Sequence, residues 1–182
     1  MEVLGSLKSD VIGISGVAGC GKDTFFKLLS KHYDARDIKC ARFSIADDLK
    51  KDIKSFCVSN YKIDPLSCTR NEKDILRPLM VFHGNAMRRI SKGRHWIRKL
   101  EKKINNKKYK DHLKVVTDVR YNQYNKDEVH WVKQEMGGIL VHLSQFEELK
   151  DPTTGKTEKD FLFPANIYEE VYDPQISELA DY

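Results

Sequence analysis

With 182 residues, 40% of them hydrophobic and 32% charged, the chain has the size and balance of one globular domain spanning residues 1–182, and a domain this long buries about 70% of the surface its unfolded chain exposes. No uncharged apolar run approaches the roughly 20 residues that span a bilayer, and the start, with Glu2 and Lys8 around a short apolar patch, lacks the pattern of a signal peptide, so a cytoplasmic protein without a membrane segment is expected. The net charge of +5 is uneven: Arg88 to Lys114 holds twelve Lys or Arg against Glu101 and Asp111, which predicts an anion-docking surface or a solvated helix face and leaves nucleic acid open as a third reading.

Val11 to Ser15 is a short β-branched apolar run bounded by glycines, the pattern of a buried parallel strand. A helix follows through about Lys31, capped by Asp23 or Thr24, with Phe25, Phe26, Leu28 and Leu29 as its apolar stripe. Cys40 to Ser44 reads as a second strand and Ile45 to Ser59 as a second helix, with Leu49, Ile53 and Phe56 on one face. Asp64 to Arg70, with Pro65, reads as a loop. A long helical region from Asn71 to Ser91 is expected to break or kink at Pro78, and Gly93 separates it from a basic helix over His95 to Asn105. Leu113 to Asp118 is the third strand, Lys126 to Met136 a helix stopped by Gly137-Gly138, and Ile139 to Leu143 the fourth strand. Lys150 to Lys159 reads as a polar loop. Cys20, Cys40, Cys57 and Cys68 are scattered, with no CxxC pair, and are expected as free thiols.

Strands alternating with helices predict an α/β fold, a doubly wound parallel sheet whose ligands sit beyond the carboxyl ends of the strands. The first strand runs directly into Gly16-Val17-Ala18-Gly19-Cys20-Gly21-Lys22-Asp23-Thr24, which satisfies G-x-x-x-x-G-K in a strand, loop, helix context and marks a phosphate-binding P-loop. Gly16, Gly19 and Gly21 let backbone wrap around phosphate oxygens, the helix points free N–H groups and its positive dipole end at the same anion, and Lys22 reaches the β- and γ-phosphates of ATP. Asp23 stands where such loops usually carry Ser or Thr. Either Thr24 takes over the hydroxyl contact to Mg²⁺ or Asp23 holds a water, and an acid so close to phosphate calls for compensating positive charge nearby. Asp118-Val119-Arg120 ends the third strand at the same edge. There Asp118 is a candidate for orienting Mg²⁺ and Arg120 for neutralising the transferred phosphoryl group, with an Asp–Arg structural pair as the alternative.

Taken together, these segments resemble the deoxynucleoside monophosphate kinases encoded by tailed bacteriophages, a branch of the nucleoside monophosphate kinase fold. The loop ending Gly21-Lys22-Asp23-Thr24 is characteristic of that family. Phe43 to Lys50 is similar to its Phe-Ala-Asp-x-Leu-Lys segment, Gly84 to Arg89 with Trp96 to its Gly-x-x-x-x-Arg…Trp pattern, and Asp118 to Tyr121 with Gly137-Gly138 to its Asp-x-Arg-Phe…Gly-Gly pattern. The resemblance implies an ATP- and Mg²⁺-dependent kinase of deoxynucleoside monophosphates in the host cytoplasm, with an acceptor-binding helical region at about 45–110 and a lid at about 144–170. Lys22 and the loop would hold ATP; Lys50, Arg88 or Arg89, and Arg120 would hold acceptor phosphate; Trp96 would stack on the base, with an amphipathic core residue as its alternative; Arg70 would reach the acceptor or serve as a helix-start surface charge. A homodimer is admitted, and nucleic acid is not the expected partner. Two departures stand out: no arginine follows Arg120, leaving Lys150, Lys156 and Lys159 as the cations of the lid, and Ile176 to Tyr182 resembles the lead-in to a final strand that the chain lacks.

Overall fold

The computed structural model of the chain describes residues 9–17, 19–144 and the backbone of 146–150 and 157–161. In chain order these form β1 (Val11–Ser15), α1 (Lys22–Asp34), β2 (Cys40–Phe43), α2 (Ile45–Tyr61), α3 (Arg70–Ser91), α4 (Arg94–Ile104) and β3 (Leu113–Val116). A short helical segment follows, called α5 here, that begins as Glu128–His130 and continues through Trp131–Glu135 with wider i→i+5 bonding; β4 (Ile139–His142), β5 (Phe146–Lys150) and β6 (Thr157–Phe161) come last.

Strands β1 to β4 form one sheet of order β2-β3-β1-β4, and every pairing in it is parallel. Alternation along the strands divides the core between the two faces. Ile12 and Ile14 of β1 with Leu113 and Val115 of β3 pack against Tyr33 and the partly buried Phe25, Phe26 and Leu29 of α1. Ala41 and Phe43 of β2 with Val116 pack against Trp96, Ile97, Leu100 and Ile104 of α4 and against Trp131 and Val132 of α5. A smaller cluster of Ile53, Cys57 and Leu76 joins α2 to α3. The architecture is thus α/β, a four-stranded all-parallel sheet flanked by helices, as expected. Because the crossover from β1 to β2 passes over β3, and that from β3 to β4 passes over β1, the carboxyl ends of β1 and β3 form the crevice where such sheets place ligands.

Several local expectations are corrected. Helix α1 starts at Lys22 with Gly21 as its N-cap and no side-chain capping bond, so Asp23 and Thr24 lie in its first turn instead of capping it. Helix α3 runs unbroken through Pro78. A reciprocal Thr69–Glu72 capping box fixes its start, and packing of Leu76 against α2 offsets the roughly 3 kcal/mol that an interior proline costs. On α2 the inward residue is Cys57, fully buried, whereas Phe56 is 48% exposed. All four cysteines are free. The range expected as a loop over 150–159 contains strand residues, because β5 and β6 pair as an antiparallel hairpin. The cations Lys150, Lys156 and Lys159 and the segment Ile176 to Tyr182 lie outside the described residues or side chains. Among the described residues, no helix is long and apolar enough to cross a membrane.

Candidate functional site

At the carboxyl end of β1 the chain turns through Gly16, Gly19 and Gly21, all with positive φ. Gly16 is obligatory on steric grounds as well, since a Cβ there would stand 2.5 Å from the Leu143 carbonyl oxygen and 2.7 Å from Cys20 Sγ. Lys22 folds back over the turn, and its Nζ donates to the carbonyls of Gly16 and Val17, both at 2.6 Å. The ammonium is thereby held over the loop, at the start of a 13-residue helix whose first amides have no side-chain cap. His142, at the end of β4, lies 2.9 Å through Nδ1 from the Ser15 hydroxyl, and burial followed by the nearby Lys22 charge holds its pKa below the ordinary histidine value. Asp23 has the compensating charge that its position calls for: Arg42, at the end of β2, lies 3.3 Å from it and 3.4 Å from Asp47. Arg42 carried no sequence signal, because its partner lies on another element.

Next to this loop, beyond the carboxyl ends of β2 and β3, α2 and α3 wall a cleft enclosing about 830 Å³ of empty space, its open mouth included. Lys50, Lys73, Arg77, Arg88 and Arg120 line it. Of these, Lys73 and Arg77 were missed in the sequence, although Lys73, Arg77, Gly84 and Arg88 recur at helical spacing along α3 and mark one face once the helix is assigned. Gly84 permits the close approach of α2, since a Cβ would fall 2.8 Å from Leu49 Cδ1. The two adjacent arginines separate as helix geometry requires: Arg88 is buried in the cleft wall, while Arg89 is exposed on the other side of α3. Arg70 is likewise an exposed charge in the first turn of α3, outside the cleft.

Two carboxyl groups share the cleft, and neither faces it as a free negative charge. Asp118 accepts three bonds from the start of α2: Ile45 N at 2.8 Å on one oxygen, Ala46 N at 2.7 Å and Ser44 Oγ at 2.8 Å on the other. The carboxylate expected to orient Mg²⁺ caps a helix more than 70 residues away in sequence, where the helix dipole and free amides stabilise it. Glu128, fully buried, accepts from the amides of Arg120 at 2.8 Å and Tyr121 at 3.2 Å. Burial, then the charge of neighbouring Asp127, pushes its pKa up to about 8, so it is neutral near pH 7. With Arg88 paired to Asp127 and Arg77 to Asp74, the cleft keeps a net positive charge from Lys50, Lys73 and Arg120.

Trp96 forms part of the cleft floor, yet it is only 2% exposed and donates its indole N–H to the Gly84 carbonyl at 3.2 Å. It offers no open face for stacking, and the core reading holds. Trp96→Ala should accordingly act on stability, lowering it by about 3–5 kcal/mol in denaturant unfolding. Of the twelve cations from Arg88 to Lys114, five are paired, Arg88 with Asp127, Arg94 with Glu101 and Glu135, Lys99 with Asp52, Lys103 with Asp48 and Lys114 with Asp10, and the other seven are exposed. Among the described residues no group of three or more His, Cys, Asp or Glu gathers as a metal cage.

No protein-family model matches the chain, and no curated protein matches it.

Proposed function

We propose that the chain is an ATP-dependent P-loop kinase of the nucleoside monophosphate kinase type, with deoxynucleoside monophosphates as acceptors. The observation that carries this reading is the adjacency of two differently built anion sites. One is a glycine turn with a lysine over it and a helix N-terminus behind it, after β1; the other is a cleft lined by five cations, beside the end of the neighbouring strand β3. A triphosphate on the first and a monophosphate ester in the second would meet at one sheet edge, the arrangement that phosphoryl transfer between them needs. The Val119 amide bonds the Ile14 carbonyl at 3.0 Å, which fixes the strand end carrying Arg120 against β1.

In this reading the loop amides and Lys22 hold the ATP phosphates, and Arg88 and Arg120 hold the acceptor phosphate in line. No covalent intermediate is required, because positioning and charge neutralisation supply the catalysis. Magnesium, when bound with ATP, neutralises phosphate charge and needs few protein ligands, since it retains several waters. The hydroxyl of Thr24 and the carboxylate of Asp23, both exposed in the first turn of α1, are hard oxygen donors that fit it, whereas Asp118 is committed to α2.

The test is ADP release from ATP and magnesium across a panel of acceptors. Turnover should be highest with deoxynucleoside monophosphates. Transfer only to phosphomevalonate or dephospho-coenzyme A would reassign the cleft to another phosphorylated small molecule. Steeply salt-dependent DNA binding without turnover of any acceptor would make the chain a nucleotide- or nucleic-acid-binding module.

A further inference from the structure

The segment after β3 that carries Arg120 is held from below by two consecutive buried acids. Asp127, with no exposed surface, accepts from the amides of Gln123 at 3.0 Å and Tyr124 at 3.3 Å and from the Arg88 guanidinium at 2.6 Å, all on one oxygen; its other oxygen accepts from the Glu128 amide. Glu128 takes the amides of Arg120 and Tyr121. Between them the two side chains bind four of the five amides from residue 120 to 124. The Arg88 guanidinium lies 3.3 Å from the centre of the Tyr121 ring, so the same loop also packs on the arginine that Asp127 holds. No sequence motif marks Asp127 or Glu128, and neither side chain takes part in the proposed phosphoryl transfer.

We propose that Asp127 and Glu128 are positioning residues that jointly fix two of the three arginines of the cleft, Arg88 through its guanidinium and Arg120 through its backbone, and that they share a single proton so that the clamp with Arg88 is electrically neutral. Adjacent buried carboxyl groups cannot both ionise cheaply when one arginine is their compensating charge. The proton belongs on Glu128, because the guanidinium bonds Asp127 at 2.6 Å and burial raises the pKa of Glu128 to about 8. The charged groups facing Glu128 are Asp127 on its own turn, Arg88 on α3 and Asp118 after β3, and Arg120 meets it through the backbone amide. As pH rises through about 8 the proton leaves, a negative charge appears in the cleft wall, and an anionic ligand should bind more weakly; below that value the acid stays neutral and the attraction is complete.

This inference rests on reading the cleft as the acceptor-phosphate site, and two measurements on the full chain separate the two claims. Infrared difference spectra of wild type against Glu128→Gln, recorded without nucleotide, should show a protonated carboxyl band at pH 7 that disappears as pH passes about 8. Absence of that band at pH 7 overturns the clamp. Calorimetric titration with thymidine 5′-monophosphate and with inorganic phosphate should show affinity falling roughly three- to tenfold between pH 7 and 9 in wild type. The fall should flatten in Glu128→Gln, whose amide oxygen still accepts from the two backbone N–H groups. The second ionisation of the phosphate, near pH 6, lies outside this window. Equal pH dependence in both proteins overturns the clamp alone. A protein that shows the titrating acid but binds neither probe overturns the reading of the cleft, and the proposed effect on ligands falls with it.

Discussion

Lys22→Ala should reduce phosphoryl transfer by at least about 10³-fold while leaving the folded chain intact. The lysine is held over the glycine turn by 2.6 Å bonds to two carbonyls of that turn. Those bonds are made at a part-buried site to backbone that solvent can also serve, so their loss should cost only about 1 kcal/mol each. Among the described residues, the other cations near this sheet edge line the cleft or, in the case of Arg42, are occupied by Asp23 and Asp47 and so do not replace the charge lost from the β- and γ-phosphates. The checks are ADP release, ATP affinity in magnesium and thermal unfolding by circular dichroism. Near-normal turnover by a well-folded variant would remove the centre of the kinase reading.

Arg120→Ala should lower kcat by about 10²- to 10⁴-fold, with a smaller effect on stability. Its bond to Glu128 is made by the backbone amide, which alanine retains, and the variant removes the guanidinium that lines the cleft. Arg120→Lys should recover only part of the rate, because an ammonium lacks the planar fork that grips two phosphate oxygens. Single-turnover measurements with saturating acceptor would place the loss on the chemical step; an unchanged rate would reduce Arg120 to a wall residue.

What was legible in the sequence was whatever local periodicity and backbone chemistry dictate. The apolar run from Val11 to Ser15 and the glycine spacing that follows gave β1 and the turn to the residue, and the stripes of α1 and α4 gave helices within a few positions. What escaped was decided by partners distant in the chain. The role of Asp118 depends on amides at 45 and 46, that of Asp23 on Arg42, and that of Glu128 on a fold that buries it beneath residues 120 and 121. Trp96 and Phe56 show the same limit for apolar residues, since helical phase names the side of a helix but not which neighbours will cover it; the first is buried and the second is half exposed. Pro78 kept its helix because tertiary packing outweighed a local penalty.

The three-point grip of Asp118 has a mechanical consequence. It ties the beginning of α2 to the end of β3, and the same helix is braced farther along by Lys103 and Lys99 of α4 on Asp48 and Asp52 and by Ile53 and Cys57 packed against α3. The wall that presents Lys50 is thus anchored on three neighbours at once, so its ammonium faces Arg120 from a fixed frame.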